Sequence, residues 1–398
     1  MPGKKLTRRQ LLKTGAATAA VLAAPRWVRA QPRPVKLAVL LPLTGPFAFA
    51  GAAALEAFQD AVGLVNDELG GIAGRPLELI VEDTGYDVAK GTAAFNRVVN
   101  RERPDELLFV YGDSTGLSKA LAPEITRLGL PYTATSYSGE LADPERYPTI
   151  YVFGPTYQDM MEALLREIAA RKPGARIALV YSNSEFGRDP IPYVKRRAAA
   201  LELEIVAEEV TPLVLTDAGP VVLKLQRARA DYVLTQGYVA TAEPALLKAA
   251  REFGFRATFM GTYYSASNAL IQRAGPAADG FLATYHNAYW YEVDVPGIRR
   301  ARAYRRQKGR PNKPMTTYYV GAFFVGLTVA EAMRRAAAAN RLSREGVLEA
   351  LGNLADYDAF GLIHSLRFVR HRLPYTKLYR ADARARRYVP YSDWIQLA

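Results

Sequence analysis

From Val35 onward, short aliphatic and β-branched runs alternate with longer segments whose apolar positions recur at helical spacing. Such alternation predicts strands and helices in turn, layered around largely parallel sheets. The first run, residues 35–43, has few polar residues, the pattern of a strand buried on both faces. Residues 51–69 then repeat apolar positions at helical spacing and stop at Gly70-Gly71, a helix-ending pair.

The same period change predicts strands over 77–82, 107–111 and 131–135 with helices over 88–101 and 117–128 between them. That is one doubly wound unit. After an apolar run at 150–153 the alternation restarts, with helices over 158–171, 190–201, 218–228 and 243–253 and strands over 177–181, 204–210, 232–235 and 258–261. Beyond residues 281–284 three helical segments follow, 297–308, 316–339 and 344–354, and then a strand-like tail. A helical return after two α/β units predicts that the chain crosses back to complete the first of them. No Pro, Gly or Ser-rich linker and no tandem repeat separates the units.

Composition agrees with two lobes. The chain has 398 residues and is 49% hydrophobic, whereas single cores stop growing at about 250 to 300 residues. Its formal charge of +13 suggests nucleic acid until the start of the chain is read alone. Residues 1–30 contain Lys4, Lys5, Arg8, Arg9, Lys13, Arg26 and Arg29 and no acid, so the remainder carries +6, the +13 less these seven charges. This segment has the anatomy of an export signal: a basic start, an apolar centre over 16–24, and Val28 and Ala30 before Gln31. The centre is shorter than the roughly 20 residues that a bilayer requires. Thr7-Arg8-Arg9-Gln10-Leu11-Leu12-Lys13 resembles the twin-arginine export motif, with leucine where phenylalanine is commoner. Without cysteine the chain has no lipid-anchoring thiol, disulfide or thiolate metal site. A soluble, exported protein is expected.

Enzyme signatures are missing where they should stand. The first strand leads into Pro42-Leu43-Thr44-Gly45-Pro46, neither a dinucleotide turn nor a phosphate loop. His286, His364 and His371 lack metal-ligand spacing and read as surface or hinge residues. No nucleophile elbow occurs, and no histidine neighbours Ser114. The basic runs at 299–308 and 384–387 read as solvated faces with no nucleic-acid motif beside them. No cofactor is expected.

Binding chemistry is better supported. Ser114 and Thr115 follow a buried strand and precede a helix, where N–H groups favour an anion and strand ends gather ligands. Either could instead serve only as a helix cap. Ser136, Tyr137 and Ser138 occupy the end of the next strand, as a turn or as a second set of donors. In the second unit the strand ends carry rings: Phe186, Tyr238, and Tyr263 with Tyr264. Three successive aromatic strand ends facing polar ones suggest a cleft that holds a small ligand between rings and hydrogen-bond donors.

Leu41-Pro42-Leu43-Thr44-Gly45-Pro46, the segment from Asn66 to Leu79, and Val81-Glu82-Asp83 resemble the start of the leucine/isoleucine/valine-binding proteins, type I periplasmic solute receptors of ABC importers. The likeness continues through Leu121-Ala122-Pro123, Phe186-Gly187, Gly237-Tyr238, Phe259-Met260-Gly261 and Ala278-Asp279-Gly280-Phe281. It implies an α/β protein of two doubly wound, Rossmann-like lobes joined by three hinge crossings, with lobe I at 33–154 plus 284–362 and lobe II at 155–283 plus 363–398. By the same resemblance Ser114 or Thr115 holds a ligand carboxylate, and Ser136 and Ser138 add donors. Phe186 packs over the ligand, and Tyr238 lies in the cleft. The family's ammonium-binding glutamate stands two residues after Met-Gly, and here that place is Tyr263. A buried, unpaired ammonium is costly, so the expected solute is a small carboxylate with an apolar or aromatic body. An amino acid follows, with Asp113 as a substitute acid, and then an amide or urea-like solute.

The function expected is therefore a monomeric periplasmic receptor that delivers solute to an inner-membrane ABC permease, not an enzyme and not a nucleic-acid binder. The alternative is an exported sensor that passes ligand occupancy to a signalling receptor.

Overall fold

The computed structural model describes residues 33–238 and 241–397. The export-signal reading of residues 1–30 lies outside them.

The first sheet is built from β1 (Val35–Leu41), β2 (Leu77–Asp83), β3 (Leu107–Gly112) and β4 (Tyr132–Ala134), all parallel in the order β2-β1-β3-β4. The central strands β1 and β3 are almost wholly buried, whereas edge strand β2 alternates buried and open positions. Successive side chains of a strand face opposite ways, and β1 obeys this closely. Ala38 and Leu40 join one apolar cluster with α2 (Val88–Arg101) and α3 (Thr115–Arg127). Val35, Leu37, Val39 and Leu41 join another, with α1 (Ala48–Leu69) and helices from far along the chain.

Those distant helices are α10 (Pro296–Gln307), α11 (Thr317–Ala338) and α12 (Arg344–Gly352), numbered after six helices of the second unit. The long pair α1 and α11 lie against each other at Gly326, where an added Cβ would stand 2.8 Å from the Cβ of Ala61. Glycine is what permits that approach. The return of the chain to the first sheet is thus a packing fact, as the apolar pattern of 316–339 predicts.

One part of that return departs from expectation. The basic run at 299–308 reads as a solvated face, yet Arg305 is 2% exposed and donates to Glu56 at 2.7 Å. Arg310 also donates to Glu56, at 3.1 Å, and pairs with Asp60, which takes the Tyr319 hydroxyl at 2.8 Å. The reason lies in α1, whose buried acids at i and i+4 need cations. A one-dimensional charge run gives no sign of them.

The second sheet has the order β11-β10-β9-β8-β7-β5-β6. Its parallel part comprises β5 (Arg176–Ser182), β6 (Glu204–Thr211), β7 (Tyr232–Gln236), β8 (Thr258–Gly261) and β9 (Leu282–Tyr285). It is wrapped by α4 (Tyr157–Arg171), the single turn α5 (Glu185–Arg188), α6 (Ile191–Ala200), α7 (Gly219–Arg227), α8 (Ala242–Glu252) and α9 (Asn268–Ala274). The tail supplies β10 (Tyr375–Asp382) and β11 (Arg387–Pro390), antiparallel additions beyond β9, and β12 (Ile395–Gln396) on β10.

The apolar run at 150–153 joins no strand. Ile150 forms a lone bridge to Tyr132 and Val152 another to Arg372, while Asn287 bridges Ile363. Ile150, Val152, Asn287 and Ile363 are buried although their backbones have no continuous neighbour. Histidines mark the same region. His371 contacts the Ile150 carbonyl at 2.9 Å, His286 is buried, and His364 is exposed and stacked on Trp394.

Candidate functional site

The carboxyl ends of both sheets face one another, and their loops enclose a cavity of about 100 Å³. On the first side Asp83 ties the loops together. It accepts the N–H groups of Leu43, Thr44 and Gly85, the Thr44 hydroxyl at 2.7 Å and the Lys90 ammonium at 2.7 Å. Burial works against its charge, but Lys90 and the Thr44 hydroxyl hold its carboxyl well below the usual range. The motif pieces Leu-Thr-Gly-Pro and Val-Glu-Asp therefore meet in one loop junction.

That junction sets the first wall: Phe47 before α1, Tyr86 after β2, Tyr111 and Asp113 at the end of β3, Thr115 as the first residue of α3, and Thr135 with Tyr137 after β4. The second wall comes from Phe186 in α5, Gly237 and Tyr238 after β7, and Tyr263 and Tyr264 after β8. Tyr318 and Gly321 of α11 close one end, and Tyr157 of α4 another.

The seven residues singled out from sequence separate into two groups. Thr115, Phe186, Tyr238 and Tyr263 line the cavity. Ser114, Ser136 and Ser138 are buried around it without lining it. Ser114 caps α3, its hydroxyl accepting the Leu117 N–H at 3.3 Å. Ser136 donates to the Thr115 hydroxyl at 2.9 Å, and Ser138 donates across the cleft to Asp189 at 2.5 Å.

Tyr263 sits edge-on to Tyr264, with ring centroids 5.2 Å apart, and stacks on His286 at 4.5 Å. Its hydroxyl donates to the side-chain oxygen of Asn287 at 3.0 Å. Burial pushes the Tyr263 phenol up to about 12 and pushes His286 down to about 3, so both stay neutral at working pH. Tyr264 also lines the cavity, and its hydroxyl donates to the Thr135 carbonyl at 2.6 Å. It joins the two walls directly.

Among the described residues Asp113 is the single carboxylate of the lining, and it is 5% exposed. Its Oδ2 accepts the Thr84 hydroxyl, while its Oδ1 has no hydrogen-bond partner. Burial, with a smaller push from Asp83, raises its carboxyl to about 6 against the pull of the Thr84 and Ser114 hydroxyls. Tyr86, Tyr111, Tyr157 and Tyr318 add four more rings to the lining. The positions of Tyr86 and Tyr111 at strand ends could have pointed to them. Tyr157 and Tyr318 begin helices, and only the folded chain brings them here.

The walls are held together outside the cavity as well. Lys119 of α3 reaches Asp189 at 2.9 Å and Glu185 at 3.3 Å across the cleft, and Glu140 at 3.3 Å on its own side. Asp189 also accepts the Gln158 amide at 2.8 Å. Among the described residues no cluster of histidine and acidic side chains is arranged to hold a metal ion.

Comparison with known proteins gives the same architecture. The periplasmic binding protein family model matches residues 34–384. The chain is 26% identical over 320 residues to the leucine-, isoleucine-, valine-, threonine- and alanine-binding protein of Pseudomonas aeruginosa, spanning 80% of this chain and 82% of that one. A branched-chain amino acid ABC transporter structure from Thermus thermophilus, with bound valine, superposes with a TM-score of 0.83 at 27% identity, over 92% of this chain and 97% of its own. The fatty acid ABC transporter substrate-binding protein of Thermomonospora curvata shares the fold, with a TM-score of 0.78 at 22% identity over 92% of each chain.

Proposed function

The chain belongs to the periplasmic binding protein family, and from that premise we propose that it captures a small solute by cleft closure and delivers it to an ABC permease. The observation that carries this reading is a small cavity enclosed between the strand ends of two sheets, with direct contacts from one wall to the other. Such contacts exist only when the walls meet. A solute touching both therefore shifts the population toward the closed form, which is the form a permease can distinguish from the open one.

In this reading the lobes are 33–154 plus 284–362 and 155–283 plus 363–398, and the crossings lie near the lone bridges of Val152, Asn287 and Ile363. Thr115, Phe186, Tyr238 and Tyr263 touch the solute. Ser114, Ser136 and Ser138 hold the loops that carry them. The relatives named above bind aliphatic amino acids, and their fold also serves a fatty acid transporter. A small solute with an apolar body suits the ring-lined cavity, acting in the periplasm with a monomeric receptor.

A thermal-shift panel of amino acids, carboxylates, amines and amides tests the proposal, because a solute that binds only the folded state raises its stability. We expect at least one class to raise the melting temperature by several degrees and to contract the protein in solution scattering. A panel with no shift and no contraction overturns it.

A further inference from the structure

We propose that the solute of this cavity is a small amine, with a protonated amino group that pairs with the Asp113 carboxylate and with no free carboxylate. The proposal deepens the solute-capture reading and rests on it.

The first support is the bare oxygen. Asp113 lines the cavity with Oδ2 accepting the Thr84 hydroxyl and Oδ1 without a hydrogen-bond partner, the Ser114 hydroxyl being near enough only to pull its carboxyl down a little. A buried carboxylate oxygen without a donor is unfavourable, and a cationic donor restores what burial removes. The second support is the charge balance of the wall. Among the described residues, no Lys, Arg or His lines the cavity. The nearby cations are engaged elsewhere, Lys90 by Asp83 and Lys119 by Asp189. A solute carboxylate would enter with no counter-charge and would face Asp113.

The start of α3 is also less open to an anion than its position suggests. At the start of α3 the Leu117 N–H is held by Ser114, and Asp113 itself precedes the helix, where its negative charge suits the dipole. The walls then supply what an organic cation needs. Eight tyrosines and two phenylalanines line the cavity, and aromatic faces attract an ammonium within about 6 Å of a ring centre. The size limits the body. A cavity of about 150 Å³ takes the six carbons of benzene, so one of about 100 Å³ limits the solute to a body of about that size or smaller.

The groups facing Asp113 let pH report on it. Asp83 is held ionised by Lys90 and Thr44, the phenols of Tyr86, Tyr111 and Tyr132 are raised by burial and stay neutral, and Asp113 itself is raised toward neutral pH by burial. Between pH 5 and 8 only Asp113 changes charge among them.

The test is titration calorimetry at pH 7.5 with isoamylamine, 3-methylbutanoate, 3-methylbutanol and valine on the purified protein. We expect the amine to bind at least tenfold more tightly than each of the others. In Asp113→Asn the amine should lose at least tenfold in affinity while circular dichroism stays unchanged. In the unaltered protein amine affinity should fall about tenfold from pH 7.5 to pH 5, as Asp113 takes up its proton. Tighter binding of 3-methylbutanoate or valine overturns the amine assignment and leaves solute capture standing. A flat pH profile, or an amine affinity that survives in a folded Asp113→Asn, overturns it equally. Silence across these probes and the wider panel overturns both.

Discussion

The two walls of the cleft each have a buried acid beside them, and the two acids are placed very differently. On the first side Asp113 lines the cavity with one oxygen free. On the second side Glu243 of α8 is 1% exposed and lies behind Gly237, where an added Cβ would meet its Cγ at 3.3 Å. Its Oε1 accepts the hydroxyls of Thr235 at 2.8 Å and Ser265 at 2.6 Å. Burial raises both carboxyls. Each has one oxygen bonded and one without a partner, so what separates them is position. Glu243 stands behind the wall and organises the loops that present Gly237, Tyr263 and Tyr264, whereas Asp113 stands in the lining itself. Shape is thus built into the second wall and charge into the first.

The sharpest way to break this comparison is to truncate each acid. Glu243→Ala removes the acceptor of two buried hydroxyls and leaves a void, so we expect a loss of about 3 kcal/mol, read by urea unfolding. If Glu243→Ala left stability unchanged, the structural role assigned to it would fall.

Asp113→Asn should act in the opposite direction on the empty protein. Its folded carboxyl lies near 6 against an ordinary 3.8, so between those values the native state binds more protons than the unfolded one. Stability then declines as pH rises through that window, and above it the cost reaches about 3 kcal/mol. Removing the charge should therefore raise the melting temperature at pH 7.5 and change it little below pH 4. The gain will be smaller than the full figure, because a buried amide also needs partners. An Asp113→Asn protein that is less stable than its parent at pH 7.5 would show that Asp113 is already satisfied within the fold.

Much of this arrangement is legible in the sequence because it follows local rules. Strands β1 and β3 are apolar on both faces since each lies between layers, and Phe186, Tyr238 and Tyr263 stand where a strand ends and a ligand can be met. Tyr318 is not legible. It belongs to a helix whose apolar pattern announces burial, and nothing local says that its first turn reaches the cavity. Arg305 fails in the same way, because the acids that draw it inward are some 250 positions earlier in α1. Asp113 is readable as an acid near a strand end, but that one of its oxygens lacks a partner is seen only once the neighbouring loops are folded around it.

A smaller effect is expected from the latch outside the cavity. The Asp189 side chain is 3% exposed, and the Lys119 ammonium is kept charged, against burial, by the Asp189 carboxylate. Lys119→Met leaves Asp189 with Ser138 and Gln158 only. That should cost the closed form about 1 to 2 kcal/mol, seen as a roughly tenfold loss of solute affinity. Unchanged affinity would mean that the closed form does not depend on this ion pair.

The smallest effect distinguishes the neighbouring rings Tyr263 and Tyr264. The Tyr263 hydroxyl donates to Asn287, which bridges Ile363 and lies only a few residues past the proposed boundary between the lobes, so we expect its bond to survive opening. The Tyr264 hydroxyl donates to the Thr135 carbonyl of the opposite wall, a bond that exists only when the cleft is shut. Each hydroxyl is worth about 1 kcal/mol, but the two should appear in different measurements. Tyr263→Phe should lower the stability of empty and loaded protein alike and leave solute affinity nearly constant. Tyr264→Phe should leave the empty protein's unfolding unchanged and weaken solute binding about fivefold. If both substitutions moved only stability, Tyr264 would be packing rather than closing, and the walls would be held by the Lys119 cluster and the solute alone.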